Sequence, residues 1–578
     1  MFKNKKLIKI HWDLKKGDKD FISILEYLDS NEIKIRNTFF EIINSFSKTI
    51  LKGKPLHEYY NLDKYNVWFM STICEKSIFK SPHLTDVIKY LTLEKIIKDT
   101  SPKKIIIVNA NSRLNNIISH YCSIKGIGFT AENEAIIRNK NTTNKVIFLI
   151  KGILFFIRYF FQNYFSYRQK ESFFSDQKTI FLCSYLINFD KNKIAENVFG
   201  SNFWGDLPEK IKNNSFRINW LHLSVKNNNP DGEFKKLGVD RKNNFNSHNF
   251  ISSFLTLGSW KSIILNYITI IKRINETKFA KIFSHEKHIY SLFLNDFLDS
   301  SYGPILIQNL IYIESFDTLF KHIPNQKIGF YLQENQGWEL SFVNAWKKHN
   351  HGKLVSVQHS TVSFWDMRYD NPYSKKVSSP FSPDFFAVNG HDARRHFKHF
   401  NYPTEKVIEL EALRYLNLES LSDNNNKKGI LILGNIVKKK TLEMLNISLP
   451  ITRGLNKKIY FKSHPAQSIS IDKIQNPNIN ITDLTLDKLL KEFDTLICCS
   501  SSSAAVESFV LNLKTIVFVP LGDLNQSPLK NNPNVFFVST KKEMVEAIKS
   551  DHHYSSKKDF FFLNNDFKNW KKLLNMKN

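Results

Sequence analysis

Acidic side chains are in short supply in this chain. Its 578 residues carry 54 Asp and Glu against 82 Lys and Arg, a formal charge of +28. So basic a protein calls for an acidic partner: nucleic acid, an anionic membrane surface or a phosphate-bearing substrate. No nucleic-acid partner is expected. The lysines are spread with asparagine along the whole chain instead of forming a stripe, and no helix-turn-helix, zinc-finger or RNA-binding signature occurs. Cysteine is scarce too. The five present (Cys74, Cys122, Cys183, Cys498 and Cys499) lack metal-ligand spacing, and most lie in apolar runs as packing thiols, which suits a reducing cytoplasm. The start, "MFKNKKLIKIHWDLKKGDKDF", is basic, but its apolar part is too short and interrupted for a secretory signal. An unbroken apolar run of membrane length is also missing. The nearest, "KVIFLIKGILFFIRYFFQNYF" at 145–165, is broken by Lys151 and Arg158, which argues against a span and leaves either a buried helix or one lying on the cytoplasmic leaflet.

With 42% hydrophobic residues the chain folds, and its length asks for two or three domains. The first hundred residues read as mixed helix. A strand at "KKIIIVNANS" (103–112) followed by the helical "RLNNIISHYCSIKG" opens an α/β unit; residues 130–177 interrupt it, and "KTIFLCSYLI" (178–187) resumes it. Residues 227–250 have the content of a surface loop. From 326 onward β-rich runs alternate regularly with helix-period segments, one of them opened by Thr540 and Glu543 as a capping box, which implies parallel sheets covered on both faces. The polar "SLSDNNNKKG" (420–429) divides the chain into an N-terminal α/β domain, 1–420, that carries the insertion, and a C-terminal α/β domain, 421–578, with a terminal helix.

In open parallel sheets ligands bind at the carboxyl ends of the strands. Three such ends carry chemistry here. After "DTLICC", Ser500, Ser501, Ser502 and Ser503 form a turn into a helix, offering hydroxyls and unpaired N–H groups to a phosphate, and Glu507 one turn on suits the hydroxyls of a ribose. After "KKIYF", Lys462, Ser463, His464 and Pro465 make a second end. Pro465 biases His464 toward an extended backbone, and an imidazole with an ordinary pKa near ~6.5 can hold or donate a proton to a departing phosphate oxygen. In "GFYLQENQGWELSFVNAWKK", Trp338, Phe342 and Trp346 form a buried helical face, which leaves Glu334 at the strand end to take a proton from an acceptor hydroxyl, with Glu339 in reserve. His359 and Ser360 close a further run, and Glu411 and Arg414 lie near the linker.

Together these runs resemble bacterial glycosyltransferases of the GT-B fold that use cytidine-monophosphate-activated acidic sugars, such as polysialyltransferases and capsule Kdo transferases. "YLQENQGWE", "VQHSTVSFWDMRY", "SPDFFAVNG" and "ELEALRYL" look like surface-carbohydrate biosynthesis proteins of O-antigen clusters. The resemblance implies an α/β, GT-B-like fold, with two Rossmann-like domains facing across a cleft. It also implies that His464 contacts the donor phosphate, Ser501 to Ser503 hold the nucleotide phosphate, and Glu334 supplies the base. At the last position the chain departs from the pattern, reading Glu-Asn-Gln-Gly where two acids precede the glycine. The expected partners are a nucleotide sugar, a glycan or lipid-linked acceptor and peripherally the inner membrane. No metal or cofactor is expected. The alternatives are a CDP-glycerol-type polyol-phosphate transferase and a non-catalytic membrane-surface assembly protein.

Overall fold

The computed structural model describes residues 6–132, 144–164, 178–190, 193–194, 196, 198–224, 248–277, 288–373, 382–421, 429–452, 457–469, 479–550 and 560–576. Much of the 130–177 interruption, most of the 227–250 loop and residues 422–428 of the expected linker lie outside them.

Three parallel sheets organise the chain. The first is built from β1 (Leu7–His11), β2 (Phe21–Ser23), β3 (Lys104–Val108) and β4 (Gly128–Glu132), in the order β2-β1-β3-β4, with α1 (Glu32–Lys48) and α2 (Leu84–Thr100) packed beside it. Only β3 stands out in the sequence. β1 reads Leu-Ile-Lys-Ile-His, and the lysine breaks the apolar signal although Ile8 and Ile10 are fully buried.

The second sheet is introduced by α3 (Lys145–Tyr164). Its strands are β5 (Thr179–Tyr185), β6 (Arg217–Leu223), β7 (His248–Phe250), β8 (Ile328–Gln333), β9 (Lys353–Gln358), β10 (Phe385–Val388) and β11 (Val407–Glu409). Between β7 and β8 run α4 (Leu257–Glu276), α5 (Leu294–Tyr302) and α6 (Pro304–His322); α7 (Gly337–Lys348) follows β8, and α8 (His391–His399) follows β10. The strand order is β7-β6-β5-β8-β9-β10-β11, so the chain starts in the middle, winds outward one way, then returns and winds the other. Such doubly wound sheets open a crevice at the C-terminal ends of the strands where the direction reverses, here between β5 and β8. Trp338, Phe342 and Trp346 are buried on one face of α7 as their four-residue spacing predicts, packing on Phe316 and Phe320 of α6.

The third sheet comprises β12 (Ile430–Leu433), β13 (Ile459–Lys462), β14 (Ile479–Ile481), β15 (Thr495–Cys499), β16 (Lys514–Phe518) and β17 (Phe536–Val538), ordered β14-β13-β12-β15-β16-β17. It too is doubly wound, and its reversal falls between β12 and β15. β15 is followed by α9 (Ala504–Val510), and α10 (Lys541–Lys549) starts with the expected capping box, Glu543 N–H donating to the Thr540 hydroxyl at 3.2 Å and Thr540 N–H to the Glu543 carboxylate at 3.1 Å. The fold is therefore α/β with two Rossmann-like parallel sheets.

Two features differ from the division expected at residue 420. Residues 1–420 hold two parallel sheets instead of one. The terminal helix α11 (Lys568–Leu574) packs in the core of the second sheet, not with the third: Trp570 is fully buried, with its ring 5.4 Å from that of Phe330 on β8. Glu411 explains the anchorage. Its carboxylate accepts from the N–H groups of Asn569 (2.7 Å) and Trp570 (3.2 Å), which the first turn of a helix leaves without intrahelical partners. The first unit touches both others. Lys80 bonds Gln336 of the second (3.2 Å), while Lys15 bonds the Phe537 carbonyl (3.1 Å) and Gly522 N–H the Asp13 carbonyl (3.0 Å) of the third.

Candidate functional site

Register decides which strand-end residues meet. On the third sheet Leu433 of β12 pairs with Lys462 of β13, so Gly434 and Ser463 leave the sheet side by side. The Gly434 N–H donates to the Lys462 carbonyl at 2.8 Å, and a Cβ on Gly434 would lie 3.1 Å from the His464 nitrogen. A side chain there would fill the mouth of the turn. On the other flank of β12 the serine turn leaves β15. The Asn435 amide donates to the Ser501 hydroxyl at 2.9 Å and joins the two ends. His464 and Ser501 therefore rise from strands on either side of β12, two strand spacings or about 10 Å apart. The connection that follows β12 is Gly434-Asn435-Ile436-Val437, in which Ile436 and Val437 are exposed.

The turn residues are set up for an anion. The His464 Nδ1 accepts from the Ala466 N–H at 3.1 Å, which leaves its Nε2 carrying the proton, and burial lowers the imidazole pKa further, so the neutral ring presents an N–H donor. The Ser463 hydroxyl is used to accept from Ile469 N–H (3.2 Å), and Pro465 is exposed. Lys462 is half-buried at the same rim. In the serine turn, Ser500 is buried and bonded to the Phe518 carbonyl (2.9 Å), and Ser502 N–H closes on Cys499 (3.0 Å). The N–H groups of Ser501, Ser503 and Ala504 have no acceptor among the described residues. Glu507, one turn further, is raised to about 7 by burial, with Arg414 opposing the shift. Arg414 thus lies near α9, whereas Glu411 is taken up by α11.

The second sheet supplies a denser charged cluster. Gln333 of β8 pairs with Gln358 of β9, so Glu334 and His359 emerge together, and His359 Nε2 lies 3.1 Å from Glu334 Oε1. The other carboxylate oxygen accepts from Gln336 and lies 3.6 Å from the Arg368 guanidinium, which is itself gripped bidentately by Asp366 (2.7 and 2.8 Å). Burial alone would push the Glu334 carboxyl up. The hydrogen bond and charge of His359, with Arg368, outweigh it and hold the group at about 2. The His359 Nδ1 is buried without a partner among the described residues, and the ring packs edge-on against Phe203 at 4.9 Å.

Glu339, the reserve base, does something else. It is 1% exposed and accepts from the N–H groups of Glu334 (2.9 Å) and Gln336 (3.0 Å), stapling the loop that carries Glu334. Asn335, between them, has a left-handed backbone (φ 55), held by a bond from its amide to the Tyr402 hydroxyl (2.9 Å). A kink of this sort costs energy and persists because its surroundings enforce it. Burial raises Glu339 to about 8, so the folded protein keeps a proton that the unfolded chain releases above about 4.5. That stabilisation is complete below pH 4.5 and is lost as pH rises toward 8. We expect global stability to fall by up to ~1 kcal/mol per pH unit over that window, and Glu339→Gln to flatten the fall, as read from thermal unfolding at a series of pH values. Glu334 acts in a separate window, stabilising above its ordinary value near 4.5 and losing that contribution between 4.5 and about 2.

The two rims approach one another through Tyr415. Its buried hydroxyl lies near the hydroxyls of Ser360, beside His359, and of Ser503, without a hydrogen bond of normal geometry to either; its ring stacks on Phe561 at 4.1 Å. Tyr415 thus lies between the loop that leaves β9 and the turn that leaves β15. Three contributors escaped sequence reasoning: Asn435, which ends the recognised run "KGILILGN"; Arg368, inside the quoted "SFWDMRY"; and Tyr415, inside "EALRYL". Each lay in a run already marked, but nothing in a single sequence told an inward polar group from a surface one.

No family model matches the chain, and no curated protein matches it. Among solved structures it is similar to S. aureus MnaA in complex with UDP (10% identity, 69% of this chain and 97% of the other, TM-score 0.37). It is similar also to UDP-GlcNAc 2-epimerase from Neisseria meningitidis bound to UDP-GlcNAc (10%, 69% and 95%, TM-score 0.35) and to the calicheamicin glycosyltransferase CalG4 (8%, 65% and 90%, TM-score 0.37). Likeness at this distance carries no inference about residues or ligands.

Proposed function

We propose that the protein is a glycosyltransferase that moves a sugar from a nucleotide donor to a surface glycan or lipid-linked acceptor, with a CMP-activated Kdo or nonulosonic acid as the preferred donor. The observation that carries the reading is the meeting of the two strand-end rims: neutral His464, Ser501 and Asn435 on one side, and the Glu334–His359 pair on the other, with Tyr415 between Ser360 and Ser503. The donor phosphate is held by the N–H groups of the serine turn, its hydroxyls and His464 Nε2–H, with Lys462 adding positive charge. These contacts strengthen as the glycosidic C–O bond breaks and negative charge gathers on the leaving phosphate oxygen. Arg414 balances Glu507, which at about 7 titrates near neutral pH beside the nucleotide.

The acceptor hydroxyl attacks the anomeric carbon and gives up its proton to the opposite rim. A carboxylate held at about 2 is too weak a base for that task alone. In this reading His359, in its neutral form, takes the proton at Nδ1, while Glu334, bonded at Nε2, orients the ring and stabilises its charged form, and Arg368 keeps Glu334 ionised. The nucleotide sugar is a substrate, and no cofactor enters the scheme.

Incubating the protein with a panel of nucleotide sugars and following nucleotide release tests the reading. Release of CMP that rises with added acceptor supports it. A product containing a phosphodiester would instead identify a polyol-phosphate transferase, and no turnover of any donor would leave the reaction unsupported.

A further inference from the structure

Helices α3 and α4 carry exposed apolar side chains that no other described residue covers. On α3, Val146, Ile150, Ile153, Leu154, Ile157 and Phe161 are all exposed, Leu154 at 60% and Phe161 at 63%. At 100° per residue they fall within an arc of about 100°. The opposite face is docked along its length: Phe156, Tyr159 and Phe160 pack around Trp260 of α4 at 5.7, 6.2 and 5.1 Å. Gly152 allows the approach, since a Cβ there would stand 2.7 Å from the Tyr302 carbonyl of α5.

On α4, Leu257, Ile264, Leu265 and Ile268 are exposed, and they too fall within about 100°. An open groove of about 400 Å³, lined by Phe156, Phe160, Trp260, Lys261, Ile264 and Leu265, joins the two faces. The surface therefore spans two helices.

The charge on the two helices themselves is almost all of one sign, with Glu314 of α6 bonded to Ser262 on the inner side of α4. Lys151 and Arg158 are exposed at the edge of the α3 arc, and Lys261 and Lys272 are exposed within the α4 arc. α3 has no Asp or Glu, and α4 has one, Glu276 at its final position. A wide apolar stripe interleaved with lysine and arginine is the pattern of a helix lying in the headgroup region, its apolar side chains among the acyl chains and its cations on anionic lipids.

We propose that α3 and α4 form one surface that docks in the plane of an anionic bilayer, with α3 not spanning it. α3 is long and apolar enough to cross a membrane, but its inner face is committed to α4, α5 and α6. Because α6 packs in turn on α7, which follows the Glu334 loop, docking would hold that rim at a fixed height above the lipid. The inference stands apart from the proposed reaction, and its failure would leave the nucleotide site untouched.

Cosedimentation of the full chain with vesicles of phosphatidylcholine alone, and of phosphatidylcholine mixed with phosphatidylglycerol, tests it. Binding is expected only to the anionic vesicles, to weaken with salt, and to be released by alkaline carbonate. The pairs Ile153→Glu/Leu154→Glu on α3 and Leu265→Glu/Ile268→Glu on α4 alter exposed positions; each should weaken binding by about tenfold or more while leaving thermal unfolding unchanged. Four results would overturn the proposal: no binding to anionic vesicles, binding unaffected by either pair, resistance to carbonate, or a lipid-free dimer that either pair converts to monomer.

Discussion

Glu334→Gln is expected to reduce sugar transfer by ~10²- to 10⁴-fold while nucleotide affinity stays within about twofold. The amide keeps the size of the carboxylate but removes the charge that orients His359 and balances Arg368. Breaking a buried charge pair from one side can itself cost ~3 to 5 kcal/mol, so lost activity could also mean lost fold. Thermal unfolding of the same preparation separates the two, because Glu334 belongs to the second sheet and loss of that fold would lower its melting temperature. His359→Ala should give a loss of similar size, and the double variant little more than either single one, because residues acting as a unit are not additive. Losses that multiply would mean that Glu334 and His359 act independently.

The second large effect concerns Gly434. A valine there brings a branched side chain where even a Cβ meets the His464 nitrogen at 3.1 Å and the Lys462 carbonyl at 3.4 Å. Both neighbours are backbone and cannot swing aside. Gly434→Val should weaken nucleotide binding by ~100-fold or more, as measured by titration calorimetry. Asn435→Ala, which removes only the bond to Ser501, should cost about tenfold, in line with one polar contact. Wild-type affinity in Gly434→Val would place the nucleotide elsewhere.

Much of the third sheet was legible because its central strands are buried on both faces. "GILIL", "IYF", "TLICC" and "TIVF" are unbroken apolar runs that end abruptly in polar residues, and such runs announce both the strand and the ligand-facing end. Of the first sheet only β3 was legible. Its β2 has three residues and its β1 is broken by a lysine, so neither has the length or the period that single-sequence reasoning requires. The edge strands β7, β11, β14 and β17 were missed for the same reason, each only three residues long. The terminal helix was visible, but its docking on the second sheet was not, since it depends on a bond from Glu411 across more than 150 positions of sequence.

At the site, residue types were readable and roles less so. Glu334, His359, His464 and the serines stood out as strand-end polar groups. What each does depends on neighbours that only the register supplies: Gln333 opposite Gln358 turns Glu334 and His359 into a pair, and two N–H groups of the loop turn Glu339 from a reserve base into a staple. The apolar stretch at 145–165 shows the same limit. Its sequence left a buried helix and a surface helix equally open; the fold shows one face docked and the other bare.

A thermal-shift titration of the wild-type protein against CMP, CDP, UDP and GDP tests most directly the proposal that the strand ends carrying His464 and the serine turn hold a nucleotide. A ligand that binds only the folded state stabilises it by about 2.7 kcal/mol at a hundred times its dissociation constant. The proposal predicts a saturable rise in melting temperature with a cytidine nucleotide, lost in Gly434→Val. A melting temperature that none of the four nucleotides moves, or one that moves equally in the valine variant, would contradict it.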